Sequence, residues 1–316
     1  MPVRSLPPTD DATRILLDGI VDYAGLFPPA GLSMAPAVRN YAHYRAGGAG
    51  WMLGRFVCPA SALEQFSEAA DPLLPRDAGA IPWRLTAVGS GDVAADLEAV
   101  AAFNERHRVC FDDRGALVDA YEAKATSVDA VHGLAAAVPA SLQSYIELPL
   151  GAPAAELDAM IGAVASTGRR AKMRTGGVTP DAFPTGDAIV NFLMSCIAHG
   201  VVAKATAGLH HTLCGYYRLQ YDDESPTSAM FGFLNVFLAA ALLAQGGTRA
   251  DALLLLAESD PKAFETNDLH LGWRGPDSML VFDRGLLQRV RQSLLVSFGS
   301  CSFTEPVQES RALGLV

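Results

Sequence analysis

Short apolar runs of β-type residues alternate with amphipathic helical runs along most of this chain. That alternation is the strongest constraint on its fold. Parallel strands cannot be joined by tight turns, so each needs a crossover helix to bring the chain back. Strand patterns fall at residues 51–57, 83–88, 120–125, 143–148, 170–175, 201–206, 264–271 and 294–299. Helical patterns fall at 60–70, 93–105, 128–137, 154–166, 187–199, 228–245 and 278–293. Eight such strands fit a closed barrel, and the α/β pattern predicts a (β/α)8 TIM-type barrel over residues 51–316. Ahead of it, a helix at 10–23, the turn-forming Ala24-Gly25-Leu26-Phe27-Pro28-Pro29 and a helix at 34–46 predict an N-terminal helical extension, residues 1–50, capping one end. The run at 264–271 also reads as a hairpin. An open doubly wound sheet is the competing architecture, but no GxGxxG follows the first strand, which weakens a dinucleotide site.

The chain has 316 residues, half of them hydrophobic, enough for one large core. A net charge of -10 argues against a nucleic-acid partner. The most apolar stretch, 230–244, is interrupted by Gly232 and Asn235 and is too short to span a bilayer. It reads as a buried or interface helix, so no membrane partner is expected and a homo-oligomer is. The N-terminal ten residues lack the apolar centre of a secretory signal. Cys58, Cys110, Cys196, Cys214 and Cys301 are scattered without a CxxC pair, which points to a reducing, cytoplasmic setting.

Lysine is scarce: Lys124, Lys172, Lys204 and Lys262 are the only four among 24 basic residues. Three of them fall in strand runs, where a parallel sheet buried on both sides should be apolar. Glu122 and Lys124 lie two apart, as do Lys172 and Arg174, and Lys204 and Thr206, so each pair shares a strand face. Glu147 and Arg55 add charges to two further strands. The bland alternative is a set of ion pairs plugging the barrel, or lysines snorkelling at strand ends. Burying so many charges is costly unless they are paired or used. In the chemical reading, Lys204 is a Schiff-base nucleophile and the neighbouring cations Lys172 and Arg174 depress its pKa. Glu147 or Glu122 then shuttles protons, and Arg174 or Arg55 grips a carboxylate or phosphate. Lys124, Thr206, His210 and Ser300 complete the expected contacts to a small anionic carbonyl substrate.

The run Lys204-Ala205-Thr206-Ala207-Gly208 resembles the lysine strand of deoxyribose-phosphate-type class I aldolases. In that family a Lys-x-Ser/Thr-x-Gly run on the sixth strand bears the imine-forming lysine. The resemblance implies an aldolase-like lyase with Lys204 as nucleophile. The family's second lysine lies on the seventh strand, where this chain shows none. Lys172, expected on the fifth, would have to stand in. The DYAGLFPPA, KATAGLHH and FGSCSF stretches also resemble an uncharacterised bacterial protein family, which implies no particular activity.

Two other readings stand beside this one. His210, His211 and Cys214 follow the sixth strand and could hold a divalent metal with Glu122 and Glu147, for a lyase, isomerase or hydrolase. No HxH accompanies them, so no cofactor is favoured, and loop histidines serving substrate or backbone are the simpler account. The last reading is a non-catalytic ligand-binding barrel. Gly176-Gly177 and the Phe298–Ser302 stretch could approach an anion or simply turn the chain. Cys301 has no identifiable base. Asp22 or Tyr23 reaches the site only if the segment around them acts as a lid.

Overall fold

The computed structural model describes residues 11–77, 79–111 and 115–316. The chain begins with α1 (Ala12–Leu17), whose N-cap Asp11 accepts a hydrogen bond from the Arg14 N–H. Gly19 then adopts a left-handed φ of 58°, a conformation that suits glycine and ends helices. Ile20 and Val21 are β-branched, and the chain leaves as β1 (Val21–Tyr23). The helix predicted to reach residue 23 therefore stops at Leu17. The segment expected to cap the barrel contains its first strand, so a boundary at residue 50 would cut through the barrel.

After α2 (Met34–Ala46), strands and helices alternate. They are β2 (Leu53–Pro59), α3 (Leu63–Ala70), β3 (Trp83–Val88), α4 (Val93–Phe111), β4 (Ala116–Lys124), α5 (Val128–Ala137), β5 (Gln143–Glu147), α6 (Ala154–Ser166), β6 (Arg170–Arg174), α7 (Gly186–His199) and β7 (Ala203–Thr206). The next 88 or so residues form an elaborate insertion, as long as several ordinary βα connections. It comprises a hairpin of β8 (Gly215–Arg218) and β9 (Thr227–Met230), then α8 (Phe233–Ala244) and α9 (Arg249–Leu256). An antiparallel sheet follows, made of β10 (Phe264–Thr266), β11 (His270–Arg274) and β12 (Met279–Asp283). Then come α10 (Arg284–Ser293), β13 (Leu295–Ser300) and α11 (Thr304–Ala312). Strands β1 to β7 and β13 close in order into an all-parallel barrel, with β13 paired to both β7 and β1. The (β/α)8 fold class expected from the sequence is the fold observed.

The predicted seventh strand at 264–271 is not part of this barrel. Asn267 turns the chain there: its side-chain oxygen accepts from the Leu269 and His270 N–H groups, and β10 folds back on β11. Residues 279–283, expected to be helical, form β12 for the same reason of local pairing. The apolar stretch at 230–244 is α8, buried from Phe233 to Leu243 beneath α7, α9 and α10. Its apolar character is consumed inside one chain, so it is not a face for a second copy. Among the described residues no helix is long and apolar enough to cross a membrane.

The outward faces of the barrel strands are apolar, as with Ile146, Ala171, Met173 and Ala205, all fully buried against the helical layer. The inward faces carry charge instead of the branched aliphatic residues common inside such barrels.

Candidate active site

The inner faces of the strands are polar at two levels. In the deeper one, towards the N-terminal ends, Arg55 Nε meets Asp119 Oδ1 at 2.7 Å and its Nη2 donates to Gln143 Oε1 at 3.1 Å. Arg84 binds the same Asp119, and Arg170 donates to the Tyr145 hydroxyl at 2.9 Å. Arg55 was expected to grip substrate. It shares a face with Val57, which lines the pocket, but lies two residues earlier and hence one layer down. Burial works against its charge, yet Asp119 outweighs that and raises its pKa, so Arg55 is a fixed structural cation.

Above this level runs a chain of alternating charges. Lys204 Nζ contacts Asp22 Oδ2 at 2.5 Å and Glu122 Oε1 at 2.7 Å. The other Glu122 oxygen meets Lys172 Nζ at 2.7 Å, and Lys172 meets Glu147 Oε2 at 2.7 Å. Glu147 Oε1 faces Lys124 Nζ at 3.7 Å. Asp22 is oriented further by the Ser297 hydroxyl, which donates at 2.9 Å, and by the Arg55 backbone N–H at 2.8 Å. The β-register explains the geometry: Glu147 pairs with Lys172, and Lys172 with Lys204, on adjoining strands. Two lysines side by side need a carboxylate between them, and Glu122 reaches in from β4 to supply it.

The electrostatic consequence departs from the sequence expectation. Burial drives Lys204 towards neutrality, but Asp22 and Glu122 override it and raise its pKa. Lys172 and Arg174 therefore do not depress Lys204. Burial likewise opposes ionisation of Glu122, yet Lys172 and Lys204 together pull it down to about 2. Lys204 is 1% exposed, lies beneath the pocket rather than in its wall, and has the Tyr145 ring 5.3 Å away.

A cavity of about 340 Å³ opens over this chain at the C-terminal ends of the strands, where barrel enzymes place their chemistry. Glu122, Glu147 and Lys172 form part of its wall, with Lys124 and Arg174. Lys124 is largely exposed. Arg174 uses Nε to donate to the Gly176 carbonyl at 3.0 Å, and among the described residues no carboxylate pairs with it. Thr206, His210 and Cys301 also line the cavity, as do Ala24, Phe27, Pro28 and Pro29 from the loop after β1. The sequence suggested a fixed cap here, or a lid carrying Asp22 or Tyr23 into the site, but neither of those two residues lines the cavity. Asp22 lies below it in the charge chain, and Tyr23 is buried against Tyr41, Tyr44 and Phe56. Gly176 and Gly208 pack backbone to backbone, and a Cβ on Gly208 would lie 2.7 Å from the Thr175 carbonyl oxygen.

The metal-ligand candidates are drawn to different partners. His210 Nδ1 hydrogen-bonds Ser300 Oγ at 3.0 Å. His211 Nδ1 pairs with Glu309 at 2.6 Å, and its ring stacks on Tyr217 with centroids 3.4 Å apart. Cys214 joins neither contact; its N–H donates to Asn235. Among the described residues no three His, Cys, Asp or Glu side chains group as a metal site. Burial, reinforced by His211, lowers the His210 pKa to about 4, so its ring is neutral. Burial raises the Cys301 thiol to about 11, which leaves it protonated and a poor nucleophile. Ser300, expected to touch substrate, is not in the cavity wall; its hydroxyl meets His210, which is.

Sequence reasoning missed Asp119, Tyr145 and Ser297 and gave Asp22 only as a lid residue. Asp22 carried a usable signal: a carboxylate between Val21 and Tyr23, just after a glycine that stops a helix. Ser297 carried one too, as a polar residue alternating within the Leu295–Ser300 run. Asp119 falls where the pairing of β3 with β4 shifts register, which strand periodicity does not foresee.

No protein-family model and no curated protein matches the chain. Among solved structures, it is similar to the deoxyribose phosphate aldolase from Aeropyrum pernix, described as having a unique tetrameric structure, at 15% identity and a TM-score of 0.43 over 65% of this chain and 87% of that one. It is also similar to the Bacillus megaterium spore cortex-lytic enzyme SleL, at 9% identity and a TM-score of 0.36 over 94% of this chain and 73% of that one. Likenesses this distant say nothing about the reaction.

Proposed function

We propose that this protein is a small-molecule lyase of the class I aldolase type, acting on an anionic carbonyl compound through Lys172. The observation that carries this reading is the position of Lys172. It is in the pocket wall with a carboxylate 2.7 Å away on either side, while Lys204 is sealed beneath. Strand counting supports it. With β1 at Val21–Tyr23, Lys172 lies on the sixth barrel strand and Lys204 on the seventh. Those are the two strands that bear lysines in the aldolases the sequence resembles. The Lys-x-Thr-x-Gly run begins at Lys204. Lys172 is followed by Met173-Arg174-Thr175-Gly176, with glycine at the same distance and Arg174 in place of the hydroxyl residue.

An amine attacks a carbonyl only when neutral. Glu122, held near 2, does not accept a proton near neutral pH. Glu147 is assigned as the acceptor, because its Oε2 lies 2.7 Å from Lys172 Nζ in the same pocket wall. Lys172 then adds to the substrate carbonyl carbon, Glu147 returns its proton to the departing water, and an iminium forms. Glu147 next takes the proton of a hydroxyl on the β carbon. The bond between the α and β carbons breaks with its electron pair drawn into the iminium as an enamine, and the β carbon leaves as the carbonyl of the first product. Hydrolysis of the enamine releases the second product. Lys204 remains a fixed cation that keeps Glu122 ionised. Arg174 and Lys124 at the mouth suit the substrate's carboxylate or phosphate.

Borohydride reduction in the presence of small aldehydes and 2-oxo acids, followed by peptide mass mapping, tests the assignment. A reduced adduct on Lys172, lost in K172R, is expected. An adduct on Lys204 would transfer the nucleophile's role there. No adduct across the panel would leave the charges structural and the barrel non-catalytic in this sense.

A further inference from the structure

A second cavity, of about 300 Å³, adjoins the first. The two share Pro29, Gly177, Gly208 and His210 in their walls, so His210 stands at the waist between an inner and an outer chamber. Each chamber alone is at the low end of the roughly 300–1,000 Å³ of small-molecule sites. The outer chamber is built largely by the β8–β9 hairpin and the loop within it, part of an insertion the barrel does not need to close.

The chemistry of the two chambers differs. The inner one offers ammonium and guanidinium groups. The outer one offers neutral and mixed hydrogen-bonding groups, from Gln220, Tyr221, Arg218 and Glu305. Arg218 is neutralised by Asp223 and His211 is bound to Glu309, so the chamber does not present a bare cation. Glu305, with its pKa raised chiefly by burial, takes a hydrogen bond from the Tyr221 hydroxyl at 3.3 Å. The Tyr217 ring already has one face stacked on His211, which argues against a slot for a flat aryl group. At the waist, His210 Nδ1 is taken by Ser300, and among the described residues no hydrogen bond reaches Nε2.

We infer that the outer chamber is a subsite for a polyhydroxylated tail, so that the ligand of the whole cavity is a sugar acid, its carboxylate end beside Arg174 and Lys124 and its hydroxyls among Gln220, Tyr221 and Glu305. This deepens the reading of the pocket as a site for anionic carbonyl compounds and rests on it for the substrate's reactive end. The binding claim is separable from the imine chemistry, because an acid with no aldehyde or ketone can test it.

The experiment is a calorimetric titration of the full chain with glycerate and with gluconate. Three carbons fill only the inner chamber, and six reach through the waist. Gluconate is expected to bind about tenfold tighter, the gain of one or two net hydrogen bonds. Q220A and E305Q are each expected to remove most of that gain while leaving glycerate affinity unchanged, which also shows that the variants fold. Equal affinities for the two acids, no binding of either, or a gain indifferent to both variants would overturn the subsite. Failure of borohydride trapping leaves this comparison untouched, since neither acid forms an imine.

Discussion

Glu122 is the residue on which the site's electrostatics turn, because among the described residues it is the only carboxylate that touches both buried lysines. Replacing it with glutamine leaves Lys204 and Lys172 each short of a countercharge in a dry interior. Breaking a buried pair in this way costs about 3–5 kcal/mol, so E122Q should show a clear fall in the urea midpoint. The same logic fixes a pH window. A carboxyl depressed from 4.5 to about 2 on folding contributes stability that is complete above the unfolded value and lost as pH falls through the folded one. Thermal unfolding midpoints should therefore decline between about pH 4.5 and 2, and that part of the decline should be absent in E122Q. Lys204 has the opposite sign. Its pKa is raised, so its contribution is complete below 10.5 and is lost only as pH rises above that value. Residues of this kind were legible in the sequence because charge inside a strand pattern has few innocent explanations. Which charge lines the cavity was not legible: Arg55 and Lys204 both satisfied the pattern, and both lie below the pocket.

At the scale of elements, the strands that alternate with helices could be read because βαβ units repeat one pattern. The exceptions had local causes. β1 is three residues long and follows a helix, so its periodicity is too brief to register beside α1. The β10–β12 sheet carries β-type residues paired to one another rather than to the barrel. One strand overlooked and one wrongly counted left the total at eight, which shifted every intervening strand number by one. That shift separated the lysines from the strand positions of the family they resemble. The loop after β7 is equally local in origin. Ala207 has φ 58° and Gly208 φ 74°, two consecutive left-handed residues against the carbonyl of Thr175. G208A should lose about 1–3 kcal/mol of stability, measurable by denaturant unfolding. It should also weaken ligand binding, since Gly208 is in the walls of both chambers. A207G, by contrast, should be neutral or slightly stabilising in the same assay.

At the scale of the molecule, the barrel closes where the first strand meets the last, with β1 between β13 and β2. Removing residues through Tyr23 would open that ring and strip Lys204 of Asp22. Such a truncation should lose cooperative thermal unfolding by circular dichroism, whereas removal of a dispensable cap would leave it intact. Asp22 comes from near the start of the sequence, Lys204 from its middle third, and Ser297 from near its end. These three meet only after the seam has formed. The charge balance of the pocket is thus a record of completed folding. With the seam open, Lys204 would lack its Asp22 countercharge and have Glu122 alone. On the proposed lyase reading, catalytic competence and barrel closure are a single event.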